Sequence, residues 1–540
     1  MTATATATYM HDILRRGRVP MAPLEYDVPW DDQPRRYKVY PGTQSIALAR
    51  QAPAVDRPLG YALGCSRRER PGDFDLASLG SMLWHSYGLS GRRAAVHRND
   101  DVPAMPWYDR AVWSRGTASG GGLYPIEIYL VTNGEQGLAP GIYNWNSARH
   151  SLSRLAVGNY LGRIQDSLGP HATGAGSYLV LSIKFWQNAF KYNSFCPHVT
   201  AMDIGTVLAT WELWCRNQGL PLRANLWFDE RDLNDLLGLD GYAESTVAVV
   251  PVPMGGAVAQ GGRHSTPVRH REHEKSRAPR SFEVIDDIQS EILAAAGGDN
   301  PWQVPPPPPR KPRHAPDDAA PHVVLPAQPL GEMPLREVLL RRRSSFGRFA
   351  ADPPISQGDL RAILDAVNAA NDGFGIAGEL PDDLVSTWVC ATHVTDVAKG
   401  IYRYEGSTGE LSQTLEAGLE LFLQGNYFLR NYDMARIAAV IVLTGRPGQI
   451  IEHYGPRGLR LQNAAIGAAT QYGYLAATAR GLGCGAALGF DNTSYGEAFG
   501  TASLEADDTT AEWPMLILMV GHEDTAGAQM HLRLAEESTR

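Results

Sequence analysis

GIYNWN at residues 141–146 returns as GIYRYE at 400–405, and SYLVLSIKF at 177–185 returns as RIAAVIVLT at 436–444 with the same offset. Three residues further out of step, Lys191-Tyr192 faces His453-Tyr454, Gly205 faces Gly467, and GLPLRANLWFD (219–229) faces GLGCGAALGFD (481–491). An offset held across a strand, a polar pair, a helix and a loop marks a diverged internal duplication: one fold used twice. The length of 540 residues suggests at least two domains, and an apolar share of 44% is enough for real cores.

Composition divides the chain around the duplication. Residues 1–58, rich in Pro, Arg and Tyr, read as an arm with short extended pieces at YKVY (37–40) and SIALAR (45–50). Residues 59–254 read as a first body. In it FDLASLGSMLWHSYGL (74–89) has helical spacing at Leu76, Leu79, Leu83 and Tyr87, while IEIYLVT, SYLVLSIKF and STVAVVPVP read as strands. HVTAMDIGTVLATWELWCRNQG (198–219) predicts a long, nearly all-apolar helix, buried on most sides. Residues 255–327 read as a semi-rigid linker, with polyproline II at PPPPPRKPRHAP (305–316) and one docking helix within SFEVIDDIQSEILAAAGG (281–298). Residues 328–540 repeat the order, with a long helix at 458–480, a Gly-rich turn and the strand PMLILMV. The expected class is α+β, a sheet flanked by helices in each half.

Several functions are disfavoured at this level. A net charge of −9 argues against a nucleic-acid binder that works by neutralising phosphates. The five cysteines show no CxxC and no zinc spacing, which reads as reduced thiols. MTATATATYMHDILRRG holds no apolar signal core, and no run approaches the ~18 apolar residues of a membrane helix, so a cytoplasmic protein is expected. His264, His270 and His273 lack the spacing of a metal site, and no metal is expected. Trp211, Trp214 and Trp227 read as core, and the proline run as a spacer, with an SH3-like groove as its alternative partner.

Four segments carry chemistry. PLREVLLRRRSSFGRF (334–349) ends a helix in arginines followed by two serines, a set suited to a phosphate monoester or, more blandly, a solvated basic helix end. RGTASGGGLYP (115–125) is either an ordinary loop or one that lets backbone approach a flat ligand. GLGCGAALGFD follows a helix instead of opening one, so it is no dinucleotide fingerprint. The other copy has Pro221, Arg223 and Trp227 where this one has Gly483, Gly485 and Gly489, so the glycines serve ligand contact better than folding. Lys191-Tyr192 is a candidate proton-transfer pair, or simply the polar end of a strand with its amine reaching water.

With these pieces in order (YMHDILRRG…RRYKVYPG, LGSMLWHSYGLS, RGTASGGGLYP, GIYNWN, FKYNSF, RRRSSFGRF, HYGPRGLR and GLGCGAALGFD) the chain resembles the SagB-type branch of the nitroreductase flavoprotein superfamily. That branch includes FMN-dependent azoline dehydrogenases of thiazole- and oxazole-modified ribosomal peptides. The resemblance implies two fused nitroreductase-like domains that form an intrachain pseudo-dimer, with FMN at their interface. It carries Arg342, Arg343 and Ser344 over to the phosphate, Leu488 and Gly489 to the turn that offers a backbone N–H to flavin N5, and Arg115, Ser119, Gly120 and Gly121 to the facing loop. Arg457 and Arg460, where the first copy has Phe195 and His198, are also carried over as cofactor contacts. Phe346 stands where the family has an arginine, with Arg348 near it, and the loop lacks the family's proline. GFGIAGELPDD (373–383) has lost the loop pattern, so one working and one decayed FMN site are expected.

The resemblance also matches Lys191-Tyr192 to a pair used in azoline oxidation, where a lysine must lose ~2–3 pH units from about 10.4 to act as a base. The expected partners are a peptide substrate and a cyclodehydratase complex. Two alternatives stand beside azoline oxidation. One is another FMN reaction, either peptide Cα–Cβ dehydrogenation or nitro or enone reduction. The other is a flavin-free scaffold subunit.

Overall fold

The computed structural model describes residues 4–51, 55–64, 74–95, 112–134, 137–220, 222–256, 264, 266–306, 308, 321–345, 349–373, 384–415, 418–429, 431–502, 509–524 and 529–534. Phe346 with Arg348, residues 374–383 of the second glycine loop and most of the proline run lie outside them.

Each half builds an antiparallel sheet. The first runs Ser45–Ala47, Ser151–Val157, Gly141–Asn146, Ile126–Thr132, Ser177–Lys184, Glu244–Val252. IEIYLVT and SYLVLSIK are buried at every position, as strands covered on both faces must be. The second sheet runs Phe349–Ala350, Trp513–Glu523, Ala439–Gly445, Ser386–Ala391, Gly400–Glu405, Glu410–Leu415, His322–Val324, with Gly483–Ala487 also paired to Trp513–Glu523. The repeated Phe-Asp has a local cause. Asp229 and Asp491 each cap a following helix by accepting backbone N–H groups, and Gly238 and Gly500 close those helices in the left-handed region at φ 69° and 68°.

The halves meet through the helices Cys196–Asn217 and Arg457–Ala479, which cross near mid-length and are buried almost end to end. At the crossing a Cβ on Gly205 would lie 1.9 Å from Ala464 O, and one on Gly467 would lie 2.0 Å from Met202 O. The contacts are reciprocal, as an internal two-fold requires. A second symmetric pair lies at the helices Leu59–Gly64 and Leu335–Arg341: Leu59 N donates to Met333 O at 3.3 Å and Leu335 N to Arg57 O at 3.0 Å. The tail strand Gln529–Arg533 crosses to the first half and pairs with Gly91–Ala95.

The arm differs from its expected shape. It contributes an extended strand to the first sheet, but it also forms the helix Ala5–Arg15, which buries Tyr9, Met10, Ile13 and Leu14. Lys38 is buried against Glu244 and donates to Tyr129 Oη at 2.9 Å, so the arm is anchored in the first sheet. The helix Glu283–Ala296 docks with Ile285, Ile288 and Ile292 inward. Lys191-Tyr192 closes a short helix, Trp186–Tyr192, instead of ending a strand. Among the described residues no helix is long and apolar enough to cross a membrane.

The glycine crossing is open to direct test. Alanine is favoured over glycine in a helix by about 1 kcal/mol, but a methyl at Gly467 meets a backbone carbonyl that cannot swing aside. Gly467→Ala is therefore expected to be destabilised by ~3 kcal/mol or more in thermal unfolding. Gly60→Ala, whose methyl meets nothing within 4 Å, should not lower the midpoint.

Candidate active site at the domain interface

Most of the singled-out residues gather along the seam between the two halves. Arg342 follows the helix Leu335–Arg341 and is 5% exposed. Its Nη2 donates to Arg115 O of the other half at 3.1 Å, its guanidinium lies 5.3 Å from the Tyr474 ring, and its buried Nε has no partner. Arg93, on Gly91–Ala95, donates to Arg342 O at 2.7 Å and also carries a buried, unpartnered Nε. Burial and the charges of Arg342 and Arg343 bring its pKa down to about 9. Arg343 pairs with Glu523. Burial, with Arg93, Arg533 and Arg343, brings nearby His531 down to about 4. Among the described residues neither Arg93 nor Arg342 pairs with a carboxylate. Arg93 and Arg342 thus carry positive charge that a bound anion would relieve.

Tyr474 joins this cluster to the glycine turn. Its hydroxyl shares a hydrogen bond with Ser344 Oγ at 3.0 Å and accepts from Ala486 N at 2.7 Å. Ser345 Oγ accepts from Cys484 N at 3.0 Å. The strand Gly483–Ala487 then leads directly to Leu488 and Gly489, where Phe428 N donates to Gly489 O at 2.8 Å.

The Ser/Gly loop of the first half arrives at the same place. Gln471, one turn before Tyr474, accepts from Ala118 N at 3.0 Å and donates to Gly116 O at 3.1 Å. From the helix Cys196–Asn217, Asp203 accepts from Ser119 Oγ at 2.6 Å and from Gly120 N at 2.9 Å, and burial pushes its carboxyl up to about 7. Gly121 turns at φ 61°, and a Cβ there would lie 2.5 Å from Tyr192 Oη and 3.1 Å from Lys191 Nζ. The loop, the lysine and the tyrosine are therefore in contact through a residue that only glycine fits. Burial, then the charge of Arg36, holds Lys191 below the ordinary lysine range.

Four expected contacts take other roles. The Arg115 guanidinium is 1% exposed and turns into the core, donating to Tyr87 O at 2.5 Å between the Tyr87 and Tyr124 rings; only its carbonyl reaches Arg342. Ser119 spends its hydroxyl on Asp203 and on Tyr124 N, so it shapes the loop. Arg457 and Arg460 do not join the cluster. They sit at the opposite end of Arg457–Ala479, about 21–25 Å of helix from Tyr474. There both pair with buried Glu230, at 2.5 and 2.7 Å. Trp227, the counterpart of Gly489, fills that end, with the Arg457 guanidinium 4.7 Å from its ring.

Arg93, Asp203, Gln471 and Tyr474 were not foreseen. Arg93 belongs to no motif, and the others lie within helices whose apolar character reads as packing. Arg16, on the arm, donates to Leu488 O.

The sequence model of the Nitroreductase family matches residues 339–522. No curated protein matches the chain. Among solved structures, a protein described as a nitroreductase from Anabaena variabilis is 19% identical and superposes with a TM-score of 0.67, covering 96% of this chain and 100% of that one. Another so described, from Ralstonia eutropha, is 17% identical over 44% of this chain and 100% of its own, with a TM-score of 0.28. A chain of the E. coli microcin synthetase McbBCD complex with truncated pro-MccB17 bound is 17% identical over 45% of this chain and 91% of its own, with a TM-score of 0.25. The first likeness spans both chains, and the fold is that of two fused nitroreductase-like domains.

Asp203 gives the site a pH signature. Its folded pKa of about 7 lies above the unfolded value, so its contribution to stability is complete below about pH 4 and is lost as pH rises through 7. Asp203→Asn should flatten the decline in calorimetric stability over that window, a change on the order of a few kcal/mol.

Proposed function

We propose that the chain is an FMN-dependent dehydrogenase that oxidises thiazoline or oxazoline rings of a peptide to thiazoles or oxazoles. The observation that carries this reading is the meeting of a cluster of arginines with a glycine loop that abuts a buried lysine. Arg93, Arg342 and Arg343, with the Ser344 hydroxyl, would hold the FMN phosphate, because their positive charge and the unpartnered Nε groups of Arg93 and Arg342 fit a dianion. Gly120, Gly121 and the Leu488–Gly489 turn would flank the ring system. When bound, FMN supplies the acceptor for the hydride that leaves the azoline carbon, and dioxygen restores it.

The residues supply the proton chemistry. Aromatisation removes a Cα proton as the hydride departs from the adjacent ring carbon. Lys191 suits the base because burial favours its neutral amine. Tyr192, whose ring lies 4.9 Å from Lys191 Nζ, would orient the ring or relay the proton. Phe428 and Leu429, 45% and 52% exposed beside Gly489, offer apolar surface to a peptide flanking the ring. Such a substrate must come from a cyclodehydration of Cys, Ser or Thr side chains, so a cyclodehydratase is the expected partner. Trp227 and the Arg457–Glu230–Arg460 triad fill the counterpart position, which supports one FMN per chain.

Purified protein should be yellow, release one FMN per chain and remove two mass units per ring formed. Lys191→Ala should lower that rate by ~10²-fold or more, and the wild-type rate should rise with pH as Lys191 loses its proton, with an inflection below the ordinary lysine pKa. An unchanged Lys191→Ala rate would discard the base assignment. Arg93→Met should weaken FMN retention by about tenfold or more, read as flavin lost on gel filtration.

A further inference from the structure

The arm helix Ala5–Arg15 reaches from the linker helix to the glycine turn. Glu291 caps its start, accepting from Ala5 N at 2.6 Å, Thr6 N at 3.0 Å and Thr6 Oγ1 at 2.6 Å. At its end, Arg16 Nη1 donates to Ile13 O at 2.8 Å and Nη2 donates to Leu488 O. The guanidinium stands 4.5 Å from the Phe195 ring centroid and 5.9 Å from that of Phe428.

This cation has no carboxylate of its own. Asp491, which follows the turn, is engaged by Arg18 Nε at 2.9 Å, Ser494 Oγ at 2.8 Å and Thr493 N at 3.1 Å. Among the described residues Arg16 forms no ion pair. Burial brings its pKa down to about 10, partly countered by the Tyr9 and Asp491 charges. Attachment of the arm does not require it, because the Arg18–Asp491 pair and the bond from Thr493 Oγ1 to Leu14 O at 3.3 Å already fasten the arm here. A guanidinium removed from water costs several kcal/mol, and a mechanical pin does not need the charge.

The charge falls on a particular peptide unit. Leu488 C=O and Gly489 N–H are the two ends of one amide, coupled by resonance. A cation that donates to the oxygen draws electron density from the nitrogen and makes the N–H a stronger donor, as in any polarised hydrogen-bond chain. We propose that Arg16 is a positioning residue that polarises the Leu488–Gly489 amide toward the bound flavin, so that the arm sets the electron affinity of the cofactor. The inference rests on the FMN reading above, in which Gly489 N–H faces the hydride-accepting edge.

The test compares FMN-loaded wild-type protein with Arg16→Met and Arg16→Lys. The midpoint potential of bound flavin is read by titration against a reference dye. In the apo proteins, the Gly489 amide proton is read after labelling Leu carbonyls with ¹³C and Gly nitrogens with ¹⁵N. Arg16→Met should shift the potential to more negative values, move the Gly489 proton upfield and lower kcat about tenfold with KM nearly unchanged. Arg16→Lys, which keeps the charge, should recover most of the potential. An unmoved potential in yellow Arg16→Met protein overturns the role of Arg16 and leaves the FMN reading standing. So does an equal shift in Arg16→Lys, which would trace the effect to side-chain shape. A wild-type protein that takes up no FMN overturns the reading beneath it.

Discussion

Everything in this molecule is hung on the contact between two helices at Gly205 and Gly467. There is no room at the crossing for so much as a methyl group on either side, because each glycine lies against a carbonyl of the opposite helix. Helices that approach this closely bury nearly their whole length, which removes their apolar surface from water and fixes the angle between the two sheets. Asp203 and Thr206 on one helix and Gln471 and Tyr474 on the other then project from the same junction. They hold the serine-glycine loop of the first half against the arginine and glycine segments of the second. The site is therefore a product of the interface: neither half contains it.

The two counterpart positions beside that junction have diverged. At one, glycine and serine stand near Arg93 and Arg342, which pair with no described carboxylate. At the other, Trp227 stands in place of Gly489, and Glu230 pairs with both Arg457 and Arg460. The difference traces to a handful of side chains.

The duplication was legible because strands and caps are written locally. GIYNWN and GIYRYE lie in matching strands, and the repeated Phe-Asp marks matching helix caps. The Gly205–Gly467 correspondence was visible too, although the sequence cannot say that the two residues lie at one crossing. Arginine-rich and glycine-rich segments announced themselves by composition. Arg93 did not, because its strand is drawn in by pairing with a tail more than four hundred residues away. The arm helix was missed because its start is stabilised by Glu291, 285 residues away. Arg457 and Arg460 were misassigned because a motif gives residue types but not the end of a helix from which they point. Each miss has one cause: long-range pairing decided what local pattern could not.

The tail strand Gln529–Arg533 has a further consequence. Because that strand of the second half is threaded onto Gly91–Ala95 of the first, the backbone that carries Arg93 takes its ladder partners from the other half, and the arginine cluster is tethered to both halves at once.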